Sequence, residues 1–235
     1  MSPIGFGSLA MAGDSYQKVL AEGIAHEQRL DWDAALRLYE ALVQRLETET
    51  PQDARWQARN AEAEFRRGNA LMVLRRMDDA RTAFDAGLHA AKESGDSLIL
   101  AEGLTAAGVF AGTSGDLARA ERFLFEALNL FSDVDAIAGR QGAGWAMLNL
   151  GTIYGKTGRL DLAFVTLDKA RERLYAIENW VGVAAAWEAQ AQLRRAIGDE
   201  DRWREDLAEA VIFYDRQGMA EKAGRLRELL KGKLL

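Results

Sequence analysis

The fold is decided by one stretch of the chain, LGTIYGKTGRLDLAFVTLDKA, residues 150–170. It places a small residue at Gly151, a second small residue at Ala163, and a large apolar residue at Leu167 four positions later. Two antiparallel helices packed about 8–10 Å apart need small side chains where they cross. Between the two small residues lies Lys-Thr-Gly-Arg, residues 156–159, where glycine can adopt a positive φ and end a helix. The stretch therefore predicts a helix, a short turn and a second helix.

The same spacing occurs five times along the chain. Successive first positions are separated by 45, 40, 43 and 40 residues. The five sets of small, small and large residues are Gly23, Ala35, Tyr39; Gly68, Ala80, Phe84; Gly108, Ala120, Leu124; Gly151, Ala163, Leu167; and, as a weaker match, Ala191, Trp203, Leu207. A repeat of this length predicts helical hairpins that stack on their neighbours.

The pattern predicts eleven helices. The predicted pairs are 15–29 with 32–48, 54–74 with 77–93, 97–113 with 117–131, 137–157 with 160–177 and 181–197 with 201–216, followed by a last amphipathic helix at 219–231. Composition agrees, because the 235 residues include only two prolines, Pro3 and Pro51, and 49% are hydrophobic. The class expected is all-α.

Charge and hydropathy exclude several functions. The net charge of −6 comes from 30 basic and 36 acidic residues that are interspersed, so there is no basic stripe for nucleic acid. No apolar run approaches the roughly 20 residues of a membrane span. The first 13 residues lack the positive segment of a secretory signal. We therefore expect a cytoplasmic protein that binds neither nucleic acid nor membrane.

The repeat resembles the tetratricopeptide (TPR) family. The family signature, L-G-x-x-Y followed by A-x-x-x-F/Y and A, appears in Leu150–Tyr154, Ala163, Leu167 and Ala170. Its period of about 40 residues is similar to that of the family's extended-helix subclass. The resemblance implies a right-handed superhelical solenoid of five hairpins with a C-terminal capping helix. We expect residues 1–13 to be a flexible tail and residues 14–235 a single solenoid domain.

Candidate catalytic and metal-binding residues are isolated. His26 and His89 each lack a second ligand at a suitable spacing, so no metal site is predicted. The glycines between Gly139 and Gly144 follow no phosphate-loop pattern, and either a close helix contact or a flexible point explains them. Acidic pairs such as Asp78-Asp79 lie at predicted helix starts, where carboxylates interact favourably with the helix dipole. We expect no enzyme activity and no cofactor.

The resemblance also implies where a partner binds. In this family the first helix of each hairpin lines a concave groove, through the residues six and three before the small residue and one, four and five after it. These positions hold Gln17, Leu20, Ile24, Glu27, Gln28, Glu62, Phe65, Asn69, Met72, Val73, Glu102, Thr105, Val109, Thr113, Trp145, Leu148, Thr152, Lys156, Glu188, Gln192 and Arg195.

Among these groove candidates we expect apolar anchors at Phe65, Met72, Val109, Trp145 and Leu148, with acidic residues toward the N-terminal end. Trp145 has two interpretations, a partner anchor or a packing residue beside the preceding hairpin.

The family's carboxylate clamp for peptide C-termini is not expected. Asn69 falls on one of its positions, but Leu20 and Phe65 stand where lysine is needed and Ala106 where asparagine is needed.

The leading hypothesis for function is a non-catalytic adaptor that binds a peptide segment or helix of a partner protein. The alternative is a self-assembling structural protein, a homo-oligomer in which Pro3–Phe6 or the C-terminal Leu235 docks on a neighbouring copy. A sensor of a signalling peptide with an attached output domain is less favoured, because no output domain fits outside the array.

Overall fold

The computed structural model of the protein describes residues 15–48, 53–134 and 136–232. The regular structure in these ranges is entirely helical. Its helices are α1 (Ser15–Gln28), α2 (Trp32–Thr48), α3 (Ala54–Val73), α4 (Met77–Ser94), α5 (Ser97–Thr113), α6 (Leu117–Ser132), α7 (Ile137–Lys156), α8 (Leu160–Ala176), α9 (Trp180–Ala196), α10 (Glu200–Arg216) and α11 (Ala220–Leu230). Every predicted helix end lies within one residue of the observed end, and the all-α class is confirmed.

The small and large residues of the repeat meet inside each hairpin. A Cβ atom placed on the first glycine would lie too close to the large side chain sixteen residues later, so glycine permits the observed approach of the two helices. The four pairs, with the nearest distance from such a Cβ, are Gly23 and Tyr39 (2.5 Å), Gly68 and Phe84 (3.1 Å), Gly108 and Leu124 (2.8 Å), and Gly151 and Leu167 (2.8 Å). In the fifth hairpin Ala191 and Leu207 are both buried.

The turn inside each hairpin has one repeated conformation. The residue seven positions after the first small residue has a positive φ: Leu30 (61°), Arg75 (64°), Gly115 (88°), Gly158 (76°) and Gly198 (78°). The amide N–H of the next residue donates to the carbonyl five residues earlier, at 2.9–3.0 Å in all five turns. This bond satisfies a carbonyl that the helix end leaves without a partner.

The chain divides into two compact units, of which the first ends at Leu130 and the second begins at Phe131. In the first unit the rings of Phe84 and Phe110 are 5.2 Å apart in the core. In the second unit one apolar cluster includes Leu167, Leu174 and Val183, and another includes Trp203, Leu207 and Tyr214. Whether residues 14–235 form a single domain stays a prediction.

The glycines at the start of α7 lie against neighbouring side chains of the second unit. A Cβ on Gly139 would overlap the carbonyl oxygen of Val134, and one on Gly142 would overlap the ring of Phe131. A Cβ on Gly144 would lie 2.7 Å from Leu174. These close approaches support the packing interpretation of the glycine-rich segment.

Two expectations concern the ends of the chain. The tail at residues 1–13 and the C-terminal Leu235 both lie outside the described residues, so neither docking segment is described. Within the described ranges, no helix combines the length and apolar character needed to cross a membrane.

Candidate partner-binding face

The geometry of an α-helix separates the predicted groove positions into buried and exposed sets. Each residue advances about 100° around the helix axis. Taking the first small residue, which faces its own hairpin partner, as 0°, the position four residues later lies at about 40° and the position three residues earlier at about 60°. The positions one and five residues later lie at about 100° and 140°, well away from the packed side. The first two positions are therefore expected to be buried and the last two exposed.

Outside the fifth hairpin, whose Glu188 and Arg195 are partly and fully exposed, the predicted positions nearest the packed side are buried. They are Leu20, Phe65, Thr105 and Leu148, three before the small residue, and Glu27 and Met72, four after it. Phe65 is fully buried, and a Cβ on Gly103 of the next hairpin would overlap its ring. The expected anchors Phe65, Met72 and Leu148 therefore pack between helices and offer a partner almost no accessible surface, which corrects the groove surface expected from the sequence.

A buried polar network joins α1 to α3 beneath this face. The Tyr39 hydroxyl donates to Glu27 Oε1 at 2.7 Å, and Arg66 Nη1 donates to Glu27 Oε2 at 3.0 Å. The Tyr16 hydroxyl donates to Glu62 Oε2 at 3.3 Å. Burial raises the pKa of Glu62, while the charge of Arg66 and the hydrogen bond from Tyr16 act in the opposite direction. The carboxylates of Glu27 and Glu62 therefore have hydrogen-bond partners inside the fold.

Glu62 and Glu102 depart from the angular rule. They lie six residues before the small residue, at about 120°, yet both are buried. The acidic surface expected at the N-terminal end of the groove is therefore not exposed at Glu27, Glu62 or Glu102.

In the first unit, the predicted groove positions one and five residues after the small residue form a row of uncharged side chains. We call this set the outer row; its members are partly or fully exposed and are Ile24, Gln28, Asn69, Val73, Val109 and Thr113. Helices α3 and α5 are in contact, and Arg66 ties α3 to α1 through Glu27. The members lie one and five residues after the small residue on α1, α3 and α5, so the row runs across three consecutive hairpins.

The second unit exposes a more polar set of the predicted groove positions. Lys156, Gln192 and Arg195 are exposed, and Thr152 is partly exposed with its hydroxyl donating to the Leu148 carbonyl at 3.0 Å. The guanidinium carbon of Arg195, Cζ, lies 5.3 Å from the centre of the Trp203 ring. These residues favour charged or polar contacts.

Two other groove candidates of the second unit are held by internal contacts. Glu188 accepts from the Tyr214 hydroxyl at 2.8 Å and pairs with Lys222 Nζ at 2.9 Å. Trp145 is partly buried and packs against the apolar cluster that contains Leu148 and Leu174. The structure thus supports a packing role for Trp145, although part of the residue remains accessible.

The sequence analysis missed the network around Glu27. A signal was present, since Tyr39 is the large residue opposite Gly23 and Glu27 lies one helical turn after Gly23. No comparable signal marks Glu62, because its partner Tyr16 lies 46 residues away in the chain. Within the described ranges, no group of three or more potential metal ligands comes together.

Comparison with known proteins finds similarity in fold only. No protein-family model matches the chain, and no curated protein matches it in sequence. A putative kinesin light chain with nearly identical TPR-like repeats from Podosopora anserina superposes with a TM-score of 0.61 and 11% identity, covering 86% of this chain and 95% of that one. A thermophilic TPR protein of Thermus thermophilus gives a TM-score of 0.55 and 21% identity, covering 94% of this chain and 99% of that one.

A third solved structure contains a bound factor. It is a Rap protein complexed with Competence and Sporulation Factor, with a TM-score of 0.52 and 15% identity, covering 93% of this chain and 74% of that one. Together these matches show that the chain has the fold of TPR-like helical repeat proteins.

Proposed function

We propose that this protein is a non-catalytic adaptor that binds a peptide segment or helix of a partner protein across the outer row. The observation that carries the proposal is the row itself, a set of partly or fully exposed, uncharged side chains at two register positions on α1, α3 and α5. The chain as a whole is 28% charged residues. A neutral strip on such a protein favours burial against another chain, since no charge has to be desolvated.

The chemistry of the outer row suits a peptide. Ile24, Val73 and Val109 supply apolar surface, and Val73 is 37% exposed. Gln28 and Asn69 carry amides that can both donate to and accept from the main chain of a peptide. Apolar contacts would supply affinity, and the amides would fix the position of the bound segment.

The same surface offers little for catalysis. Two carboxylates beneath it, Glu27 and Glu62, are buried and hydrogen-bonded to tyrosines. The one hydroxyl in the outer row, that of Thr113, donates to the Val109 carbonyl at 2.9 Å. General acid–base or nucleophilic chemistry needs an accessible group next to a base, and the outer row has none.

The structural neighbours favour a binding role by analogy. The Rap protein with its bound factor shares the fold of this chain, at 15% identity. A shared fold does not fix a function, so the argument rests mainly on the outer row. We also propose a cytoplasmic location, on the charge and hydropathy patterns of the sequence.

The proposal is tested by selecting peptides that bind the full chain from a displayed random library. Each selected peptide is then titrated against the wild-type chain and two variants. Val73→Arg places a charge in the outer row. Phe125→Arg places the same charge on α6, at a residue that is 56% exposed, and serves as the matched control.

We expect Val73→Arg to weaken binding at least tenfold and Phe125→Arg to leave it unchanged, because only the first substitution puts an arginine against the bound peptide. Circular dichroism must show equal helix content for the three proteins. Equal affinities for wild type and Val73→Arg, or loss of binding in Phe125→Arg alone, would place the binding surface elsewhere.

A further inference from the structure

We infer that residues 1–13 of this chain bind to its own outer row and compete there with the partner segment. The inference rests on the proposed function, since it requires that the outer row accept a peptide. According to this inference, a segment of the same molecule occupies the outer row when no partner is bound.

The N-terminal segment and the outer row match chemically. Residues 1–13, MSPIGFGSLAMAG, contain no charged side chain. Their apolar residues Ile4, Phe6 and Leu9 are separated by glycine and serine. Residues 15–130, by contrast, contain 14 basic and 19 acidic side chains, yet the six members of the outer row are all uncharged. An uncharged segment would lose least solvation energy where the receiving surface is also uncharged.

The segment is also long enough and starts in the right place. It precedes Ser15, the first residue of α1, and α1 contributes Ile24 and Gln28 to the outer row. Thirteen extended residues reach about 43–47 Å at 3.3–3.6 Å per residue. Reaching Ile24 from Ser15 takes about 14 Å along α1 at 1.5 Å per residue, and crossing three helices spaced about 8–10 Å apart takes about 20 Å more. The segment can therefore cross the whole row.

Attachment makes even a weak contact effective. A short flexible connection gives an effective concentration on the order of 1 mM. A segment that bound as a free peptide with a Kd of about 0.1 mM would then occupy the row in about nine molecules of ten. The apparent affinity for a competing partner would be lowered about tenfold.

Disulfide trapping tests this inference in the full chain, which contains no natural cysteine. One cysteine replaces Ile4, Phe6 or Leu9 in turn, and the second replaces Val73 of the outer row. In the matched controls the second cysteine replaces Phe125, which is more exposed than Val73. The rate of disulfide formation and the molecular mass of the product are measured for each pair under mild oxidation.

We expect at least one pair with Val73→Cys to form a disulfide within a single chain at least ten times faster than its Phe125→Cys control. Equal rates in the two series, or no disulfide with Val73→Cys at any of the three positions, would overturn the inference. Disulfides formed mainly between two chains would also overturn it, and would instead show the segment docking on a second copy.

A second measurement separates this inference from the proposed function. Ile4→Asp with Phe6→Asp in the full chain should raise the affinity for a library-selected peptide about tenfold, because the charged segment no longer competes. If selected peptides bind the outer row but the double variant has unchanged affinity, the segment does not compete and only the inference fails. If the disulfides form within one chain but no peptide is selected, the segment binds the outer row but the proposed partner binding, and with it the competition, fails.

Discussion

Two hairpins of this protein keep a strained residue where the later hairpins have glycine. Leu30 and Arg75 have φ values of 61° and 64°, while Gly115, Gly158 and Gly198 occupy the same register. A residue that carries a Cβ atom loses roughly 1–2 kcal/mol of stability when its backbone adopts this left-handed conformation. We predict that Leu30→Gly combined with Arg75→Gly stabilises the chain.

The magnitude follows from two opposing terms. Glycine removes the strain, but it also increases the freedom of the unfolded chain by roughly 0.5–1 kcal/mol. The net gain lies between about 0 and 1.5 kcal/mol at each site, with a middle value of about 0.75 kcal/mol. Little packing is lost, because Leu30 is 66% exposed and Arg75 is also exposed. The two sites lie in different turns, 45 residues apart, so the two middle values should add to about 1.5 kcal/mol.

The assay is urea unfolding followed by circular dichroism and by tryptophan fluorescence. Gln28→Gly, at the last residue of α1, is the control, because glycine at a helical φ costs up to about 1 kcal/mol. The double variant should unfold at higher urea than wild type and Gln28→Gly at lower urea. If the double variant unfolds at lower urea than wild type, the side chains of Leu30 and Arg75 contribute more to the turns than their strain costs.

Three further predictions concern packing and pH. Gly151→Leu should lower the unfolding free energy by about 1–3 kcal/mol or more, because the new Cβ would lie 2.8 Å from Leu167. Unchanged thermal stability would show that α7 and α8 do not cross closely at Gly151. Trp145→Ala should cost about 2–4 kcal/mol of stability through lost packing, and an unchanged melting temperature would exclude that role. Burial raises the pKa of Glu64 from 4.5 to about 7, against the opposing charge of Arg67, so the folded state binds this proton more tightly. The contribution of Glu64 to the unfolding free energy therefore falls as pH rises from about 4.5 to 7, by at most about 1.4 kcal/mol per pH unit. Urea titrations at several pH values should show that Glu64→Gln removes this part of the pH dependence.

The sequence was sufficient to place the helices because their ends are marked locally. A residue with positive φ closes each hairpin, and in three of the five hairpins that residue is a glycine visible in the sequence. The crossing point was equally visible, since Gly68 and Phe84 keep the spacing of Gly151 and Leu167. Such signals lie within one hairpin and need no knowledge of the neighbouring hairpins.

The accessible part of the site was harder to predict because exposure depends on neighbouring hairpins. Phe65 occupies a nominal groove position, but Gly87 and Gly103 let the adjacent helices close over its ring. Glu62 is buried against Tyr16 from another hairpin. The helical angle alone would have separated Phe65 from Asn69, whereas nothing local distinguishes the buried Glu62 from an exposed carboxylate.

The pattern of helix contacts has a consequence for how the chain folds. Among the described helices, the pairs with more than marginal contact are next or next but one in the sequence, such as α3 with α4 and α3 with α5. Contacts of short sequence separation require only short loops to close, so they form rapidly. We expect folding to begin in any one hairpin and to spread to its neighbours. During synthesis, each hairpin could then form as soon as its second helix has emerged, before the rest of the chain exists.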